Sequence, residues 1–233
     1  MRIAILSDIH SNIQALQKAF QFIDRSTVDQ IYCLGDIVGY GANPNECVDL
    51  IRSRAALCVL GNHDLAALDP RHASYFTKPG RVAAEWTHTK LTKENSDYLA
   101  SLPYTANTEH CTLVHASPAM PQEWEYINSV QKAEQQFCAF STPICFIGHT
   151  HVPVLLGENL KTLVFKRGMR FLINVGSVGQ PRDGNPQLSF GILDTELWSY
   201  RNIRLDYDIR GASQAIAENG LPSVLGKRLS QGH

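Results

Sequence analysis

The sequence predicts a layered α/β fold whose sheets are mixed rather than purely parallel. Three observations carry that reading. Short apolar runs bounded by Gly, Pro, Asn or Asp recur along the chain, as strands do. The early runs alternate with stretches of helical periodicity, the pattern of strands joined by helical crossovers. In the second half the runs follow one another more closely, with turns at 166–168 and 183–186 that suit antiparallel pairing. Of the 233 residues 44% are hydrophobic and 18% charged, enough for a sizeable core and incompatible with a disordered or fibrous chain. Lys and Arg number 21 against 22 Asp and Glu, a net charge of −1. That balance makes no electrostatic case for an obligate nucleic-acid or membrane-surface partner. No repeat, low-complexity tract or linker interrupts the chain, so residues 1–233 read as a single domain.

Taken in order, residues 2–6 read as the first strand. Ile13, Leu16, Phe20 and Ile23 then recur at helical spacing behind the capping pair Ser11-Asn12. After a strand at 30–34, Asn43-Pro44-Asn45-Glu46 sets a cap, a first-turn proline and a glutamate ahead of Val48 and Ile51. Strands follow at 57–60, 111–114 and 143–147, with a helix opening at 128–131 and running through Phe140. Further strands are expected at 162–165, 171–175, 189–193 and 198–205. The tail reads as helical around 211–219, then turns at Gly220 and Pro222 into 223–229. No apolar run approaches the ~18 residues that cross a bilayer, and the first is too short for a signal peptide. The six cysteines are scattered with no C-x-x-C pair, so neither a disulfide framework nor a zinc ribbon is expected. These features predict a soluble, reduced, cytoplasmic protein.

The informative feature is where the polar residues fall. Asp8 and His10 follow the first strand, Asp36 the second and Asn62 the third. His115 follows 111–114, and His149 and His151 follow 143–147. In open α/β sheets ligands collect in the crevice outside the carboxyl ends of the strands. Asp, Asn and His side chains converging there make a metal site rather than a nucleophile triad. Mixed imidazole, carboxylate and amide oxygen without thiolate suits Mn, Fe, Zn or Ni. Seven ligands exceed one tetrahedral ion and suit two ions sharing a carboxylate, the arrangement used for displacement at phosphorus. Gly35, Gly61 and Gly148 each precede a candidate ligand, where a sharp backbone turn is expected. Taken singly, Asp8 also reads as a helix cap, His115 as an ordinary half-buried histidine and Asn62 as a turn residue.

Asp8-x-His10, Gly35-Asp36, Gly61-Asn62-His63-Asp64, His115 and Gly148-His149-Thr150-His151 stand in the order and approximate spacing of a known signature. On these motifs, over residues 1–151, the chain resembles the calcineurin-like metallophosphoesterases. Gly39-Tyr40-Gly41, Trp124-Glu125-Tyr126 and the stretch from Asn174 to Arg182 resemble the small phosphodiesterase branch related to diadenosine tetraphosphatases. The resemblance implies a four-layer sandwich, two mixed sheets face to face with helices outside. It implies that Asp8, His10, Asp36 and His151 hold one metal, and Asp36, Asn62, His115 and His149 a second. It further implies that His63 faces the substrate, oriented by Asp64, and assists the leaving group while hydroxide attacks phosphorus. The expected substrate is a small phosphoester or nucleotide.

Two alternatives accompany that reading: a Ser/Thr protein phosphatase-like monoesterase, and a non-catalytic metal-binding scaffold on the same fold. Retention of the seven ligands and His63 argues for catalysis. Arg182 is a candidate phosphate clamp and Asn12 a candidate substrate contact. Trp86, Trp124 and Tyr126 are candidates for stacking a base, and Lys161, Lys166, Arg167 and Arg170 form a basic cluster on an expected hairpin. Related chains often carry His-Gly-Ser-Pro where this one has His115-Ala116-Ser117-Pro118, which demands a negative φ or modest strain at Ala116.

Overall fold

The computed structural model describes residues 1–161 and 164–233. The elements in chain order are β1 (Arg2–Leu6), α1 (Ile13–Asp24), β2 (Gln30–Cys33), α2 (Pro44–Arg54), β3 (Leu57–Cys58), α3 (Asn62–Leu68), α4 (Lys78–Lys90), α5 (Lys93–Ala100), β4 (Thr105–Asn107), β5 (Cys111–Val114), α6 (Val130–Gln136), β6 (Ile144–Ile147), β7 (Val154–Gly157), β8 (Phe171–Asn174), β9 (Leu188–Asp194), β10 (Ser199–Leu205), α7 (Ile209–Glu218) and α8 (Ser223–Gln231). They form two five-stranded sheets, ordered β10-β9-β1-β2-β3 and β4-β5-β6-β8-β7. β1, β2 and β3 run parallel, as do β5, β6 and β8. The edge strands β4 and β7 and the β9–β10 hairpin pair antiparallel, so both sheets are mixed.

Period-two alternation sorts the strand residues between layers. Ile3 and Ile5 of β1 pack inward with Tyr32 and Leu34 against Leu113, Phe146, Phe171 and Ile173 of the other sheet. Their neighbours Ala4 and Leu6 face outward onto Leu16, Phe20 and Ile23 of α1 and Val48 and Ile51 of α2. On the far side Val114, Cys145, Ile147 and Leu172 pack against Ala133, Phe137 and Phe140. The result is helix, sheet, sheet and helix, a four-layer sandwich. Each fully buried Phe, Ile or Leu contributes about 1.5–3 kcal/mol.

Asn12 caps α1, its side chain accepting from Ala15 N–H. The helix expected to run through Phe140 stops at Gln136, because the Arg170 guanidinium takes the carbonyls of Phe137 and Phe140. The strand expected at 162–165 begins on Thr162 and Leu163, which lie outside the described residues. Val164 and Phe165 are in no strand, and Phe165 instead packs its ring on Phe171 and Trp198. The antiparallel partner of β8 is β7, in the run after His151. No helix among the described residues is long and apolar enough to cross a membrane.

Candidate metal centre

Parallel pairing brings the carboxyl ends of β1, β2 and β3 to one edge, and those of β5 and β6 meet them from the facing sheet. The loops leaving β1 and β2 are laced together: Ile9 and His10 N–H both donate to Asp36 C=O, and Asp8 N–H donates to Gly35 C=O. Asp8, His10, Asp36, His149 and His151 all adopt left-handed backbone, with φ between 51° and 65°. Non-glycine residues held there cost of order 1–3 kcal/mol each and persist only where the surroundings over-determine them. That network supplies the constraint.

The seven residues expected as ligands come together and are buried. His151 Nε2 lies 3.2 Å from Asp8 Oδ1, and His10 Nε2 lies 3.8 Å from Asp8 Oδ1 and 3.7 Å from Asp36 Oδ2. His115 Nε2 sits 3.3 Å from Asp36 Oδ2, 3.2 Å from Asn62 Oδ1 and 3.2 Å from His149 Nδ1. Asp8-His10-His151 and Asp36-His115-His149 each form a cluster with ligand atoms within 4.8 Å of one another.

The hydrogen bonds behind the rings decide what those atoms offer. His10 Nδ1 faces Val38 C=O, His115 Nδ1 faces Leu34 C=O and His151 Nδ1 faces Gln180 C=O. A carbonyl accepts, so each Nδ1 carries the proton and each Nε2 turns a lone pair inward. His10 and His151 therefore oppose two acceptor nitrogens at 3.0 Å. Asp8 Oδ1 and His149 Nε2 are buried with no hydrogen-bond partner in the protein. A dry convergence of lone pairs and carboxylates is favourable only around positive charge. These residues fit divalent cations.

The electrostatics agree. Burial holds the pKa of His10 and His151 well below the usual imidazole value and that of His149 at about 3, leaving these rings neutral and able to ligate. His115 differs: burial would lower it too, but the Asp36 carboxylate beside it wins and raises it to about 10, so its Nε2 holds a proton until a cation displaces it. For Asp36, burial pushes upward and is overcome by His115 and His63, which keep its carboxyl well below the carboxylate range.

The glycines before the ligands act mainly through space. Gly35 does take a positive φ of 89°. Gly61 does not; a Cβ there would lie 2.1 Å from Asp36 Oδ1, and one on Gly148 would lie 2.0 Å from Ser7 Oγ and 2.4 Å from Asp8 Oδ2. Gly61→Ala should therefore displace Asp36, lower stability by about 1–3 kcal/mol and reduce metal uptake. Denaturant unfolding read beside metal analysis checks this. Ala116 is absent from the positive-φ residues, as its side chain demands.

Outside the cluster opens a cleft of about 470 Å³, lined among others by Asn62, His63, Phe76, Tyr126, His149 and Arg182. The His63 ring packs 4.3 Å from Phe76 and 4.4 Å from Tyr40. Burial lowers its pKa to about 4. Arg182 donates to Gln180 Oε1 at 3.0 Å and Tyr40 Oη at 3.3 Å. Tyr126 lays its ring 4.1 Å from that of His149, and Trp124 packs edge-on to His115.

Two expectations need correcting. Asn12 does not face a substrate: its Oδ1 caps α1 and its Nδ2 donates to Gly179 C=O and Tyr207 Oη. Asp64 makes no hydrogen bond to His63, because its two oxygens accept from Val38 N–H and Gly61 N–H, each at 3.0 Å. It fixes the turns that carry His63; burial and nearby Asp36 raise its pKa to about 7. In the basic cluster Arg170 pairs with Glu158, and Arg167 donates to the Thr195 and Glu196 carbonyls. Trp86 packs away from the cleft, beside Ala83 and Leu225. Periodicity gave no sign of Tyr75, Phe76 or Arg228 in the cleft, nor of Asn174, which braces the His149–His151 turn by donating to Gly148 C=O and Thr150 Oγ1.

A family model described as the calcineurin-like phosphoesterase superfamily domain matches residues 1–197. The protein MJ0912 of Methanocaldococcus jannaschii is 40% identical over 99% of this chain and 98% of its own. The crystal structure of a metallophosphoesterase from Sphaerobacter thermophilus superposes with a TM-score of 0.91 at 40% identity, covering 100% of this chain and 99% of that one. The phosphodiesterase YfcE of Escherichia coli is 23% identical over 85% of this chain and 90% of its own.

Proposed function

The chain belongs to the calcineurin-like phosphoesterase superfamily and is a metal-dependent phosphoric ester hydrolase, and from that premise we propose that it is a phosphodiesterase acting on small phosphoesters or nucleotides. The observation that carries this reading is the buried cluster of lone pairs opening directly into a cleft that holds His63 and Arg182. We assign Asp8, His10, Asp36 and His151 to one cation and Asp36, Asn62, His115 and His149 to a second, with Asp36 shared. Mn, Fe, Zn or Ni suits such a donor set. Bound there, two such ions supply Lewis-acid charge to phosphate oxygens and a nucleophile at neutral pH.

The chain's own groups do the rest. Arg182, held by Tyr40 and Gln180, offers a guanidinium fork to the phosphate. His63, clamped between Phe76 and Tyr40, donates a hydrogen bond to the leaving oxygen. Asp64 is a positioning residue, tying the turns at Val38 and Gly61 on which His63 is mounted. The cleft continues past the cluster between aromatic walls, which leaves room for the second ester group of a diester. All six cysteines are free thiols, which suits a reducing compartment, and we assign the enzyme to the cytoplasm.

The test is hydrolysis of bis-p-nitrophenyl phosphate beside p-nitrophenyl phosphate, on chelator-stripped protein with and without Mn²⁺. The expected result is no turnover without metal and metal-restored turnover that favours the diester. Preference for the monoester would instead make the enzyme a phosphatase.

A further inference from the structure

We propose that Arg228, on the last helix, determines specificity by pairing with a second phosphate of the substrate, so that the cleft selects nucleoside di- or polyphosphate groups over monophosphates. The inference deepens the phosphodiesterase reading and rests on it.

Arg228 lines the same cleft as His63 and Arg182. Most arginine partners in this protein are carboxylates, as for Arg2, Arg52, Arg54, Arg71, Arg170 and Arg204. Among the described residues no ion pair or hydrogen bond engages the Arg228 guanidinium. Among the side chains that line it, Arg182 and Arg228 meet one carboxylate, Glu123. A planar guanidinium without a partner at such a mouth is matched to phosphate oxygens.

Its position is built rather than incidental. Leu225 and Leu229 of α8 are buried against Ala212 and Ile216 of α7, and Ser213 Oγ donates to Gly226 C=O at 3.0 Å. At the helix end Gly232 takes φ 68°, and Gly184 N–H donates to its carbonyl at 3.0 Å. A Cβ on Gly232 would lie 2.7 Å from Asn185 N, so glycine lets the tail seat directly on the loop that follows Arg182. That contact brings Arg228 to the Arg182 side of the cleft. The helix lies beyond residues 1–197, the part the family model matches.

The remaining walls suit a base. Tyr75 is 62% exposed and Tyr126 46% exposed, unusual for rings beside a buried cluster, and both line the cleft. Stacking on such faces is tolerant of base identity.

The test is competitive inhibition of bis-p-nitrophenyl phosphate hydrolysis by AMP and by ADP, with free Mn²⁺ buffered to one value. The wild type should bind ADP about tenfold more tightly than AMP. Arg228→Ala should erase that ratio, and Arg228→Lys should retain part of it; circular dichroism checks that both fold. An unchanged ADP/AMP ratio in Arg228→Ala, or an equal loss for both nucleotides, overturns the proposal. If the wild type fails to hydrolyse the diester, the phosphodiesterase reading falls. Calorimetric titration of the same two nucleotides into Mn²⁺-loaded wild type and Arg228→Ala then applies the same criterion to Arg228.

Discussion

Asp36→Asn is expected to strip metal from both halves of the site and to lower kcat/KM by about a thousandfold or more. Asp36 Oδ2 is the atom that faces His10 on one side and His115 on the other, at 3.7 and 3.3 Å. Asparagine can keep Oδ1 as acceptor for His63 N–H, a bond of 2.8 Å in the native protein, so the turn survives. It cannot keep the charge, and its NH₂ would aim donors at imidazole lone pairs. The fold should persist while the cations are lost. Metal analysis after dialysis, read beside circular dichroism, decides it. A variant that still holds two equivalents of metal would show that Asp36 is not shared.

His63→Ala should behave differently, with kcat reduced by about 10²–10⁴-fold and metal content kept at the wild-type level. The prediction has a sharp competitor within the structure. His63, His10 and Asp36 also form a group whose ligand atoms lie within 4.8 Å of one another, so the ring is near enough to ligate. If it does, the alanine variant loses metal and activity together. Because Phe76 and Tyr40 pack on the ring and can fill the space it leaves, His63→Asn provides a variant of closer volume. Metal retained with slow turnover in both variants assigns the ring to the substrate side.

Much of the candidate site is legible in the chain because each candidate ligand follows a strongly apolar strand. A parallel arrangement delivers whatever follows those strands to one edge, so Asp8, Asp36, Asn62, His115 and His149 had only one place to meet. Residues 62–100 were less legible. Their three helices are short or weakly amphipathic, and α4 begins on Lys78-Pro79-Gly80, a sequence that reads as a turn. Asn12 carries two readings in the sequence, a helix cap and a substrate contact, which look alike until the amide's partners are known, and the cap is the one the structure shows.

The sequence by itself determined the mixed α/β class, the strands that carry the site, the identity of the converging candidate ligands and the family they belong to. These are local properties: side-chain alternation, capping residues and polar residues at strand ends. Only the tertiary structure decided how those groups are used. It turned the lone pairs of His10, His115 and His151 inward through the carbonyls of Val38, Leu34 and Gln180 respectively, which lie far from them in the chain. It also revealed that Gly61 and Gly148 are glycine for want of space beside Asp36 and Asp8 rather than for a turn. And it carried Arg228 to a cleft whose aromatic faces, Tyr75 and Tyr126, lie more than a hundred residues away in the chain. Such convergence depends on long-range packing, and no spacing within a segment records it.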